Sequence, residues 1–301
     1  MSLLAILISL ILEKLLPPTH GLRSLAWIES YQQWVHTRLT NHPKWRGTPS
    51  LLIIVLPPLT GIATLQYLLN DLLVFLGFVF SIIVLTYSLG PKNKRQLARE
   101  YLDAEERGDT GNAESMLQDI VSSTTSTPLP EDKLSRTRRL TDYLLIQTHE
   151  QLLAIFFWFV ILGPMGAMLY RLTVELQQAG DATETGDAEF HAAVIRLHYI
   201  LAWIPGRLTA LSYAVMGSFV HALHAWQNAS HEEIDTNNNT SPQIHHLLLH
   251  IGQAALQLDK HPPQDDSQHN DAIRETLDLC GRSLVAWITV LALMTLAGWA
   301  S

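Results

Sequence analysis

Two arginines stand where the chain is otherwise built for hydrocarbon. Residues 152–170 hold no charged side chain in 19 positions, and Tyr170-Arg171 closes that run. Arg207 lies ten residues into a second apolar stretch, residues 197–219, within Trp203-Ile204-Pro205-Gly206-Arg207-Leu208-Thr209-Ala210. An arginine at membrane depth faces the bundle interior and has a partner there. Its planar fork of donors matches carboxylate or phosphate. The chemistry on offer is therefore anion binding or a charge-dependent contact. Arg171 ends its run and can reach back to the interface, and Arg207, ten residues into its stretch, is less able to do so. Glu13 interrupts a third apolar run and is the natural counter-ion for one of the two. An Arg207–Glu13 pair would serve equally well as buried structural glue. With Tyr170 and Trp203 beside the arginines, the candidate binding set is Arg171, Arg207, Glu13, Tyr170 and Trp203.

Other chemistry is sparse. Of fourteen histidines, His246 and His250 are four apart and His221 and His224 three apart, so each pair shares a helix face. Neither pair gains a carboxylate or third histidine at helical spacing, and solvated histidines in polar segments explain them better than a metal. No phosphate-binding glycine loop, dinucleotide fingerprint, zinc-protease motif or nucleophile elbow occurs. No catalytic residue, cofactor or metal is assigned. The single cysteine, Cys280, excludes a disulfide framework or cysteine cluster. A net charge of −8 without a basic stripe argues against nucleic acid.

The elements that must position the arginines follow from composition. The chain is 48% hydrophobic and 16% charged, well below the roughly one-quarter charged of soluble proteins. Residues 3–12 are apolar but too few to span, and Pro17-Pro18 stops their helix. The run lacks a basic start and a cleavage site, so it is expected to be retained. Residues 22–39 are amphipathic. Residues 51–69 and 72–89 form a hairpin of spans turning at Asn70-Asp71, the first kinked by Pro57-Pro58. Residues 152–170 form a kinked central span and 283–299 a last one. A helix of 19 residues rises close to the roughly 30 Å of a bilayer core. Gln96 to Arg107 reads as a charged helix ending at Gly108, with Asn112 capping the next.

Five segments result: 1–90 with the apolar start, amphipathic helix and hairpin; polar 91–151; 152–220 with the central span and the Pro/Gly-interrupted stretch; polar 221–282; and 283–301. Nine Lys/Arg between residues 90 and 151 place that loop in the cytoplasm and Asn70-Asp71 outside. If 197–219 crosses, 221–282 is cytoplasmic; if it lies along the bilayer, 221–282 is periplasmic.

Phe157-Trp158-Phe159, Gly163-Pro164-Met165-Gly166-Ala167, Tyr170-Arg171, Trp203 to Ala210 and the opening Leu10-Ile11-Leu12-Glu13-Lys14-Leu15 carry a resemblance. The whole chain resembles the AmpE family, inner-membrane proteins associated with regulation of β-lactamase. It is more distantly similar to the CobD/CbiB membrane enzymes of cobalamin synthesis, which join an aminopropanol arm to cobyric acid. Their Asn-Thr-Leu-Asp type continuation after Tyr-Arg is replaced here by Leu172-Thr173-Val174-Glu175. The resemblance implies an all-α polytopic helical membrane protein of the bacterial inner membrane, with amphipathic helices and polar loops. It implies a signalling or modulator role in β-lactamase induction and peptidoglycan recycling. Its expected partners are the lipid bilayer and a small anionic ligand or membrane protein. The alternative is a CobD/CbiB-like amide-forming enzyme acting on an anionic substrate.

Overall fold

In hydrocarbon a backbone must satisfy its own polar groups, and a helix does this within one segment. The structure, a computed structural model, describes residues 2–15, 31, 47–90, 94–122, 132–181, 188–235, 242–258, 263 and 265–297. Among them there are helices and no strand. The helices are α1 (Ser2–Leu15), α2 (Thr48–Leu72), α3 (Val74–Ser88), α4 (Lys94–Glu106), α5 (Thr110–Ser122) and α6 (Lys133–Thr148). A π-helical turn, His149–Leu153, leads into α7 (Ala154–Leu162), followed by α8 (Pro164–Asp181) and α9 (Ala188–Met216). The chain continues through α10 (Phe219–Asp235), α11 (Pro242–Ala255) and α12 (Asp266–Leu296). Of the expected amphipathic helix at 22–39, all but Tyr31 lies outside the described residues.

Two compact units divide the chain. The first holds residues 1–92, 150–203 and 288–301. Its core is a stripe of α2, Leu51, Ile54, Val55 and Leu59, set against Met168, Leu172 and Leu176 of α8 and Phe190 and Val194 of α9. Steps of three and four along α2 and of four along α8 give each helix one apolar face. The hairpin turn is not where the sequence pattern puts it. Asn70 and Asp71 sit in the last turn of α2, and the break falls at Leu73, whose φ is −156°. Polar side chains of α2 fold onto α3 instead of forming the turn: Gln66 Nε2 donates to the Gly77 carbonyl at 3.2 Å. Gly77 has no side chain to block the space that Asn70 fills.

The central run also differs from expectation. Residues 152–170 are not one kinked span. Gly163 ends α7 in a left-handed conformation, φ +66°, and Pro164 opens α8 at its first position, where a missing N–H costs nothing. α8 then packs against α7. Gly166 makes that approach feasible, because a Cβ there would collide with the Trp158 carbonyl and sit 2.6 Å from Leu162 Cβ. The long apolar helical stretch runs upstream instead, from Lys133 to Leu162.

The second unit holds residues 93–149 and 204–287. Its core joins Tyr101 and Leu102 of α4, Leu117 and Ile120 of α5, Leu140 and Leu144 of α6, and Ile273 and Leu277 of α12. α4 stops at the expected glycine: Gly108 has φ +72°, and Asp109 N returns to the Ala104 carbonyl at 3.0 Å. The cap of α5 is Asp109 rather than Asn112, since Asp109 Oδ1 accepts from Asn112 N at 3.4 Å. At the start of α6, Asp132 accepts from Ser135 N and Oγ, and these bonds hold its carboxyl below the usual aspartate range.

Three helical stretches among the described residues are long and apolar enough to cross a membrane: Thr48–Leu72, Lys133–Leu162 and Ser267–Leu296. Val74–Ser88 is apolar but shorter, and the last stretch begins well before the expected 283. Four expected spans thus become three long helices and a shorter one.

Candidate functional site

Arg171 is the most deeply placed of the candidate residues that carry charge. It stands on α8 in the first unit and is only 6% exposed. Its Nη2 pairs with the Glu175 carboxylate one turn further along α8. Gly90 lies just past α3 with φ +85°, and a Cβ there would come within 2.9 Å of Arg171 Nη2. Glycine suits the left-handed backbone here, and its lack of a side chain leaves room beside the guanidinium. The position beside the C-terminal end of α3 is favourable for a cation, because the last carbonyls and the helix dipole are negative there. Arg171 Nε is buried with no hydrogen-bond partner among the described residues. The group is charge-matched by Glu175 yet keeps one donor in reserve.

Beside Arg171 on the chain, Tyr170 is fully buried and its ring lies 5.7 Å from that of His198 on α9. His198 Nε2 in turn stands 4.0 Å from Glu150 Oε1, and both residues are buried. Glu150 is carried by the π-helical turn, a local irregularity that recurs at functional sites. Within this unit the pair offers one carboxylate oxygen and one imidazole nitrogen. Sequence reasoning misses Glu150 because it opens the segment just ahead of the apolar run. The usable signal is an acid and a histidine, Glu150 and His198, each beside or inside an apolar stretch. Glu13 is half-buried near the end of α1, in the same unit. Trp203 is exposed.

The Pro205-Gly206-Arg207 stretch does not interrupt its helix, since α9 runs unbroken from Ala188 to Met216. Proline supplies no N–H to the carbonyl four residues back, that of Leu201. Trp158 Nε1 donates to that carbonyl at 3.0 Å. A residue of the aromatic cluster therefore satisfies an α9 carbonyl distant from it in sequence. On the other side of the proline, in the second unit, Gly206 packs on Ile244, and a Cβ at this glycine would lie only 2.6 Å from Ile244 Cγ2. Thr209 Oγ1 donates to the Pro205 carbonyl at 2.8 Å and meets His149 Nδ1 at 3.0 Å. Tyr213 donates to the Leu145 carbonyl at 2.8 Å. Arg207 is half-buried on this helix. Arg171 and Arg207 belong to different units.

The histidine pairs behave as surface groups. His246 and His250 are exposed with rings 4.2 Å apart, and His221 Nδ1 is engaged by Ser218 Oγ at 2.7 Å.

A family model described as regulatory signalling modulator protein AmpE matches residues 1–300 of the chain. Among curated proteins, the cobalamin biosynthesis protein CobD of Stutzerimonas stutzeri is 30% identical over 185 residues, 61% of this chain and 58% of that protein. CobD of Chromobacterium violaceum is 28% identical over 189 residues, 62% of this chain and 57% of that protein. The chain thus spans less than two thirds of the length of these curated relatives. No solved structure matches.

Proposed function

The chain belongs to the family of the regulatory signalling modulator protein AmpE, and we propose that it acts from the inner membrane on β-lactamase induction coupled to peptidoglycan recycling. The observation that carries a mechanism is the buried Arg171–Glu175 pair, seated against Gly90 at the end of α3. Burying a charge pair in an apolar unit is rarely worthwhile for stability alone, because desolvation offsets the attraction. Such a pair is suited to a contact with two states. An anionic ligand or a partner's charge that competes for the guanidinium would release Glu175 and loosen α8 from α3. Arg207, on the proline-bearing helix, is the second residue proposed to hold a ligand or switching contact.

A second reading, an enzymatic one, is favoured by the similarity to CobD, a protein whose name places it in cobalamin biosynthesis. In that reading the arginines bind an anionic substrate. Against it stands Glu175, which already supplies an anion to Arg171.

Gene deletion separates the two. Loss of the gene should alter the induced β-lactamase response, and a plasmid copy should restore it. Unchanged induction together with a cobalamin requirement would replace this reading with the enzymatic one. The multi-pass topology has its own expected result. A reporter fused at residue 123 should report cytoplasm, because nine basic residues hold that segment inside. High alkaline-phosphatase activity from that fusion would reverse the orientation of the bundle.

A further inference from the structure

We infer that the second unit binds a small monocarboxylate in the cavity between α6 and α11, with Arg138 and Thr141 holding the carboxylate. The cavity measures about 130 Å³ and is lined by Leu134, Thr137, Arg138, Thr141, Gln253 and Leu258, among others. A cavity of about 150 Å³ is large enough for benzene, so a molecule of about six heavy atoms fits.

Three observations give its chemistry. First, Arg138 is held in place rather than left waving. Gln253, 8% exposed, accepts from Arg138 Nη2 at 3.2 Å through Oε1 and donates to Asp142 through Nε2. The amide is fixed from both ends, and it fixes the arginine at the cavity. Second, the Thr141 hydroxyl departs from a pattern common among the threonines of this chain, a departure it shares with Thr86. Thr137, Thr148, Thr209 and Thr276 each bond back to the carbonyl four residues earlier. Thr141 is fully buried, and its Oγ1 has no hydrogen-bond partner among the described residues. A buried hydroxyl without a partner is costly unless something else supplies one. Third, the charge available is small. One arginine faces the cavity, and Asp142 stands behind the Gln253 amide. With one cationic side chain in the lining and a carboxylate close behind it, a dianion is disfavoured. Leu134 and Leu258 give the body of the molecule an apolar surface. The site is built by α6, α11 and the residues that follow α11, Leu258 and Pro263, and it stands whether or not the chain modulates β-lactamase.

The test uses the full chain purified in detergent micelles, with sodium butyrate as probe and saturation-transfer NMR as readout. n-Butanol serves as the uncharged control and inorganic phosphate as competitor. Butyrate should bind saturably, with no saturable signal from butanol and no displacement by phosphate. Thr141→Val keeps the shape of the side chain and should weaken butyrate about tenfold to a hundredfold, the range for a hydrogen bond to a charged group. The same variant should unfold at the same temperature or higher, since it removes a hydroxyl that no protein group satisfies. Arg138→Gln should abolish saturation. Equal signals from butanol, displacement by phosphate, or unchanged butyrate affinity in Thr141→Val would each overturn the proposal. So would a lowered melting temperature in Thr141→Val, which would show that the hydroxyl already has a partner.

Discussion

Arg171→Ala should strip most of the protein from the membrane fraction, while the double variant Arg171→Leu, Glu175→Leu should keep it there. Removing one member of a buried pair leaves the other charged and unmatched, at a cost of about 3–5 kcal/mol. Glu175 retains 27% side-chain exposure, so the lower end of that range applies. Even about 3 kcal/mol is a large share of the roughly 5–15 kcal/mol that holds a domain together. Replacing both charges with leucine removes the desolvation cost along with the attraction, and such exchanges are commonly neutral or better. Immunoblots of carbonate-washed membranes read both variants directly. Equal accumulation of Arg171→Ala and wild type would mean that the guanidinium is solvated and the pair unimportant to the fold. Normal accumulation of the double variant with a lost induction response would assign the pair to signalling.

Gly166→Val is expected to cost about 3 kcal/mol, the upper end for overpacking a tight contact. The new Cβ would press on the Trp158 backbone carbonyl, which cannot swing away, and lie 2.6 Å from Leu162 Cβ. α7 and α8 would have to part, and Trp158 would be drawn from the Leu201 carbonyl that it satisfies. Gly61→Ala is the matched control, because a Cβ at Gly61 meets nothing within 4 Å. The control should leave the thermal unfolding midpoint in detergent unchanged or slightly raised. Similar midpoints for Gly166→Val and wild type would show that α7 and α8 do not pack through this glycine.

Much of this is legible in the residues, and the exceptions have physical causes. Unbroken apolar runs imply helices, and Gly108 marks the end of α4 because few other residues take φ +72° there. The break at Gly163 is not legible. Hydropathy is continuous across it, and a glycine-proline pair in an apolar run is compatible with either a kink or a full stop. Only the packing of α8 onto α7 decides between them. The cap of α5 is ambiguous in sequence because Asp109 and Asn112 are both good capping residues, and the return of Asp109 N to Ala104 selects the first. The depth of Arg171 is not legible, since an arginine at the end of an apolar run can reach the interface, although its spacing of four from Glu175 is visible. Hydropathy alone ends the apolar run at Arg171, one turn short of that partner. Glu150 escapes in the same way at the other end. Residues flanking apolar runs look like borders, whereas here Arg171 and Glu150 are buried within the first unit.

The claim that the arginines serve signalling and not only the fold is tested most directly at Arg207. Arg207→Lys keeps the charge but loses the planar fork that grips a carboxylate or phosphate. In a strain lacking the chromosomal gene, induced β-lactamase activity should be measured beside the membrane level of the plasmid-borne variant. The expected result is a wild-type membrane level and an induction response like that of the deletion. Wild-type induction at that same membrane level would contradict a signalling role for Arg207.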